Sequence, residues 1–163
     1  MDPDVFDDPR LTAAGLLFEA HDGLIARLAP TLEKAGLSSL DFGALTRLSR
    51  SPEGRLRMTD LAAQSLLSTS GVTRVVDRLQ RGGLVRREAS PDDRRSTYAV
   101  LTPEGADRLR GVLTDHLDEI ELWFTGLFTP EQLRNLVAGL RTLRDAVHPN
   151  AAKNTDPPPT AAE

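Results

Sequence analysis

From Leu11 to Leu32 apolar side chains recur at Leu11, Ala14, Leu17, Phe18, Leu24, Ile25, Leu28 and Leu32. That spacing marks one face of a helix. Pro30 is expected to bend or shorten it, and Gly36 to stop it. A second helix is predicted from a Ser38 or Ser39 cap to about Ser49, with Leu40, Leu45 and Leu48 inward. Ser51-Pro52-Glu53-Gly54 reads as a turn and Arg55 to Met58 as a short extended piece. Thr59 is expected to cap a third helix ending near Ser65 or Leu66. Ser68 caps a fourth, Thr69 to about Arg81, whose inward stripe is Val72, Val75, Val76 and Leu79. Gly82-Gly83 ends it. Val85 to Glu88 and Thr97 to Leu101 then read as two strands joined by a polar tip, Ser90 to Arg95.

Thr102, with Pro103 in the first helical position, opens a fifth helix reaching about Thr125. Thr129-Pro130-Glu131-Gln132 is a capping box for a sixth, with Leu133, Leu136, Val137, Leu140, Leu143 and Val147 on one side. The predicted class is mainly α with a small β hairpin. Residues 1–9 are expected to be a flexible N-terminus, and 148–163 a disordered tail rich in Pro, Ala, Asn and Thr.

Composition narrows the chemistry. With no cysteine, disulfides, thiol sensing and Cys-based zinc sites are excluded. Three His, at 21, 116 and 148, are too few and too scattered for a zinc sensor, so no metal is expected. No Gly-x-Ser-x-Gly, Gly-rich phosphate loop or His-Glu-x-x-His occurs, so the chain is not expected to be an enzyme. No run approaches a membrane span and the acidic start does not resemble a signal peptide, so a cytoplasmic protein without membrane contact is expected. The net charge of −4 is unevenly spread. Between Arg47 and Arg110, 13 Arg face 8 acidic residues, and the ends are acidic. A cationic middle suits phosphate contact.

Residues 59–102 carry the candidate function. A short helix, a turn, a second helix and a hairpin make a winged helix-turn-helix plan. The polar side of the fourth helix shows Ser70, Thr73, Arg74, Asp77, Arg78 and Arg81. Short hydroxyl residues allow close approach to a groove, and Arg74 can fork onto guanine or phosphate. The amides near Thr69 and Ser70 suit a phosphate. Arg94 and Arg95 on the hairpin tip suit a narrow minor groove, and Asp93 can hold Arg95 extended. Taken alone, the helix also fits an ordinary solvated amphipathic face and the tip an ordinary charged turn.

The runs Met58-Thr59-Asp60-Leu61-Ala62, Ser70 to Leu79, Gly83 to Arg87, Asp93-Arg94-Arg95-Ser96 and Leu101 to Gly105, in that order, resemble the MarR family of transcriptional regulators. The resemblance implies a homodimer whose base is built from residues 10–36 and 103–147, carrying a DNA-binding lobe at 37–102. It implies major-groove contact by Ser70, Thr73 and Arg74, and minor-groove contact by Arg95 with Asp93 in support. The function expected is a ligand-responsive repressor on a pseudo-palindromic duplex. An activator of the same fold, or a winged-helix protein-interaction module, are the alternatives. No cofactor is expected, but a small aromatic or anionic inducer is implied. His21, Asp41, Arg47 and His116 are its candidate ligands, with Trp123 near the same crevice. For each His, a hydrogen-bonded core role is the competing reading.

Overall fold

A computed structural model describes residues 6–90 and 96–152. Asp8 caps α1 (Pro9–Lys34) by accepting the Arg10 N–H. The helix therefore begins one residue inside the segment expected to be flexible. Pro30 lies within α1 without ending it. The stop comes at Gly36, with φ of 69°, where the Gly36 N–H reaches Glu33 O and the Leu37 N–H reaches Leu32 O. This left-handed closure needs the conformational freedom of glycine.

Helix α2 (Ser39–Arg50) opens with a Ser38–Asp41 capping box. Its inward residues are Asp41, Ala44, Leu45 and Leu48. Leu40, expected inward, is exposed, because the apolar face is rotated away from it. Strand β1 (Arg55–Arg57) leads directly into α3 (Met58–Gln64). Arg57, not Thr59, is the residue before the first turn, and no side chain caps it. Helix α4 (Thr69–Arg81) is capped by Ser68, which accepts the Gly71 N–H, and buries Val72, Val75, Val76 and Leu79.

Strands β2 (Val85–Ala89) and β3 (Thr97–Leu101) pair antiparallel, and β1 adds to the other side of β3. The sheet is thus three-stranded, in the order β1-β3-β2. Register sets Leu56 against Ala99 and Val85 against Leu101. Leu56, Ala99 and Val85 all lie in the core with Leu45, Leu48, Leu61 and the α4 stripe. The three-layer contact of α2, α4 and sheet fixes the orientation of α4.

Helix α5 (Pro103–Trp123) starts at Thr102 and sends Leu109 and Val112 into this core. It also packs along α1. After a 3₁₀ turn at Thr125–Leu127, α6 (Pro130–Val147) begins with the Thr129–Gln132 capping box. None of the residues of α6 is buried. Beyond α6, where a tail without structure was expected, Pro149–Ala152 forms a 3₁₀ turn that packs on α3. His148 secures the return, with Nε2 3.1 Å from Ala63 O. Among the described residues, no helix is long and apolar enough to cross a membrane.

Candidate nucleic-acid interface

The α3–α4 pair and the β2–β3 arm share one support. Valine and leucine side chains bury one side of α4, leaving Thr69, Ser70 and Arg74 exposed on its outer side. The Ser68 and Ser70 hydroxyls lie 3.1 Å apart at the helix start. Thr73 is half-buried, and its hydroxyl donates to Thr69 O at 2.7 Å. It can accept from a ligand, but its proton is already used.

Arg78 occupies a different position from Arg74. Its guanidinium forks onto the buried Asp41, with Nε 2.9 Å from Oδ1 and Nη2 2.7 Å from Oδ1. Nη2 also reaches the Ser38 hydroxyl at 3.3 Å. The residue expected to face DNA thus staples α4 to α2. Burial alone would raise the Asp41 carboxyl pKa; the hydrogen bonds from Arg78 and Ser38 outweigh it and hold it below the ordinary value. The same hydrogen bond raises the pKa of Arg78.

The arm is tied to α4 as well. Arg87 on β2 pairs with Asp77 at 2.7 Å and donates to Gln80 Oε1 at 2.8 Å. On the opposite sheet face, β1 sets Arg55 and Arg57 over Tyr98, with guanidinium carbons 5.1 and 5.7 Å from the ring centre. Arg57 Nε also donates to the Tyr98 oxygen at 3.2 Å. Sequence reasoning passed over Arg55, Arg57, Arg87 and Tyr98. The alternation Arg55-Leu56-Arg57 was the available signal, since it puts two cations on one face of a strand. Just beyond β2 the Ser90 N–H donates to Ser96 O at 2.9 Å, drawing the two arms together. Asp93, Arg94 and Arg95 lie outside the described residues.

The four candidate effector ligands have separate engagements. His21 is exposed on α1, beside its neighbour Asp22. Asp41 holds Arg78. Arg47 donates to Gln64 O at 3.0 Å and Gly43 O at 3.1 Å, joining α2 to the end of α3. Burial, then the nearby Arg50, pushes its pKa down. His116 is buried edge-on against Phe42, with ring centres 4.6 Å apart and Nδ1 without a partner. Burial lowers its pKa, with Glu119 acting the other way. Asp41 and Arg47 are thus engaged within the fold, by Arg78 and by backbone carbonyls respectively. Trp123 is engaged by Arg27, whose guanidinium sits 4.3 Å from the ring centre.

Comparison with known proteins agrees with this geometry. A sequence model described as MarR family matches residues 35–96. The HTH-type transcriptional regulator MhqR of Bacillus subtilis is 31% identical over 106 residues, covering 65% of this chain and 72% of the relative. The crystal structure of AbsC, a MarR family transcriptional regulator from Streptomyces coelicolor, superposes with a TM-score of 0.79 at 32% identity, over 86% of this chain and 95% of that one. Sco3205 from the same organism, a MarR family regulator crystallised in complex with DNA, gives a TM-score of 0.79 at 33% identity, over 88% and 91%.

Proposed function

The chain belongs to the MarR family of transcriptional regulators, and from that premise we propose that it is a DNA-binding repressor that works as a homodimer, with α4 in the major groove. The observation that carries this reading is the division of α4. Its valine and leucine side is locked into the lobe, while Thr69, Ser70 and Arg74 are presented outward on a rigid support. Arg74 is the candidate base reader, since a guanidinium can take guanine O6 and N7 together. Thr69 and Ser70 stand at the helix start, where backbone N–H groups favour phosphate. Arg78 acts from behind, fixing α4 against α2 through Asp41.

Dimerisation is supported by apolar surface the single chain leaves uncovered. Leu16, Leu17, Phe18 and Ile25 on α1, Leu117 and Leu122 on α5, and Leu140, Leu143 and Val147 on α6 are all exposed. Surface of this kind marks an interface when it is continuous. Two-fold pairing through these helices sets two copies of α4 about one duplex turn apart. The repressor reading is supported by relatives that carry that role, such as the HTH-type transcriptional repressor YetL of Bacillus subtilis, 35% identical over 85 residues.

An inducer would have to bind two arrangements of the dimer unequally. The cleft between α1 and α5, about 420 Å³, has the size for a small molecule. Its Asp115, Asp118 and Glu119 outnumber Lys34, so we propose a neutral or cationic aromatic inducer in place of an anionic one.

Fluorescence anisotropy on duplexes from upstream of its own gene tests the DNA reading. The parent is expected to bind one duplex selectively and with steep salt dependence. Arg74→Ala is expected to lose roughly tenfold or more on that duplex and little on unrelated DNA. Equal binding of all duplexes by parent and variant would remove α4 from the reading role.

A further inference from the structure

Two neighbouring carbonyls at the end of α3 are held by side chains from distant parts of the chain. A helix leaves its last carbonyls without partners of its own, and here long-range donors take them. The Arg47 guanidinium on α2 donates to Gln64 O at 3.0 Å. The half-buried His148, just past α6, sets Nε2 3.1 Å from Ala63 O. A carbonyl oxygen only accepts, so Nε2 carries the proton in this contact. The His148 N–H donates to Arg144 O and the Ala151 N–H to His148 O, and the 3₁₀ turn Pro149–Ala152 lies against α3. Helix α6 itself buries none of its residues, and Leu140, Leu143 and Val147 stay exposed. A short piece of packed chain thus ties a helix without buried residues to the first helix of the α3–α4 pair.

Resting on the DNA-binding homodimer reading above, we propose that residues 148–152 are a strap from the dimer base to the lobe, with His148 as the positioning residue that sets the half-site spacing the dimer accepts. The base also enters the lobe core through Leu32 of α1 and Leu109 and Val112 of α5. Those contacts are apolar and non-directional, so they permit small rotations of the lobe. The His148 bond is directional and sits away from them in sequence, on α3, so it removes that freedom. Helix α3 packs directly on α4, and the turn between them follows Gln64 at once, so α4 moves with the end that His148 and Arg47 hold. One base pair of added spacing moves a half-site by about 3.4 Å and turns it by about 35°. The angular play of the lobe therefore decides how many spacings one dimer can bind.

The test measures binding to a series of operators whose half-sites are moved apart or together by one base pair, in parent, His148→Phe and His148→Gln. The parent is expected to lose about tenfold at a shift of one base pair, because the second half-site no longer meets its helix. His148→Phe keeps a ring but has no N–H. It is expected to lose about threefold on the best operator, the scale of one hydrogen bond, and to pay only about threefold for the shift. His148→Gln restores a donor to Ala63 O and should return the spacing profile to that of the parent. A purely local stabilising role would lower the melting temperature and leave the profile unchanged. If His148→Phe melts well below the parent, two glycines inserted between Val147 and His148 supply the same comparison. They slacken the strap while leaving the ring on α3, and the same relaxed profile is expected. Folded variants that keep the parent's profile, or a parent indifferent to spacing, would overturn the strap and leave the DNA reading standing. A parent that binds no duplex of any spacing in dilute buffer would overturn both.

Discussion

Asp41 and Arg78 are 37 residues apart in sequence, yet they form the closest charged link between α2 and α4. Asp41 is buried while the Arg78 side chain is 47% exposed, so the pair is only partly shielded from water. Asp41→Asn leaves the guanidinium facing a neutral amide, and a cost of about 2 kcal/mol is expected after allowing for that exposure. The Asp41 pKa is lowered in the folded state. Its stabilisation is therefore complete above the unfolded value of about 3.9 and fades as pH falls through the folded one. Urea titrations of parent and variant should diverge at pH 7 and converge in strong acid. His116 acts nearer neutrality. Its folded pKa is also lowered, so the folded state resists protonation. Stability is full above about 6.5 and declines as pH drops through the folded value. His116→Leu should flatten that part of the profile; an unchanged slope would show that another group titrates there. Leu66 tells a different story. It holds φ of 51° in the turn between α3 and α4 with its side chain in solvent. Leu66→Gly is expected to raise stability by roughly 0.5–1 kcal/mol, read as a higher midpoint in urea.

At the scale of elements, α4 was the most legible part of the chain. Its valines and leucine follow the helical period, Ser68 precedes them and two glycines follow, so pattern, cap and stop agree. The Thr102-Pro103-Glu104-Gly105 run was legible as a helix start, but its tertiary role was not. Thr102 donates its hydroxyl to Gly83 O and its N–H to Leu84 O, clamping α5 onto the end of α4. A Cβ on Gly105 would stand 2.1 Å from Leu84 O, a backbone atom that cannot swing aside. Gly105→Ala is therefore expected to cost about 3 kcal/mol, with a drop in melting temperature far larger than Gly111→Ala, where the added carbon meets open space. Leu40, the β1–β3 pairing and the turn after His148 escaped sequence reading for one reason. Each depends on a partner far along the chain: the rotation of α2 by the Asp41–Arg78 link, Tyr98 across from Arg57, and Ala63 beneath His148. The same holds at the candidate site, where Arg74 and Arg78 look equivalent in sequence and only the position of Asp41 separates them.

For the molecule as a whole, two kinds of surface remain to be satisfied. The helices of the base expose leucines and a phenylalanine, and the lobe exposes arginines and hydroxyls. On the proposed reading, pairing of two chains would cover the first and a duplex the second. Phe18→Asp, at a position 65% exposed in the single chain, is expected to shift sedimentation from dimer toward monomer. It should also weaken operator binding by more than tenfold, because two half-sites can no longer be held together. The most direct measurement is hydroxyl-radical footprinting of the selected operator, with the bound stoichiometry read by sedimentation on the same duplex. Two chains per duplex, protecting two matched patches about 10 base pairs apart, are expected. One chain per duplex, or a single unpaired patch, would contradict a dimer that reads both half-sites with α4.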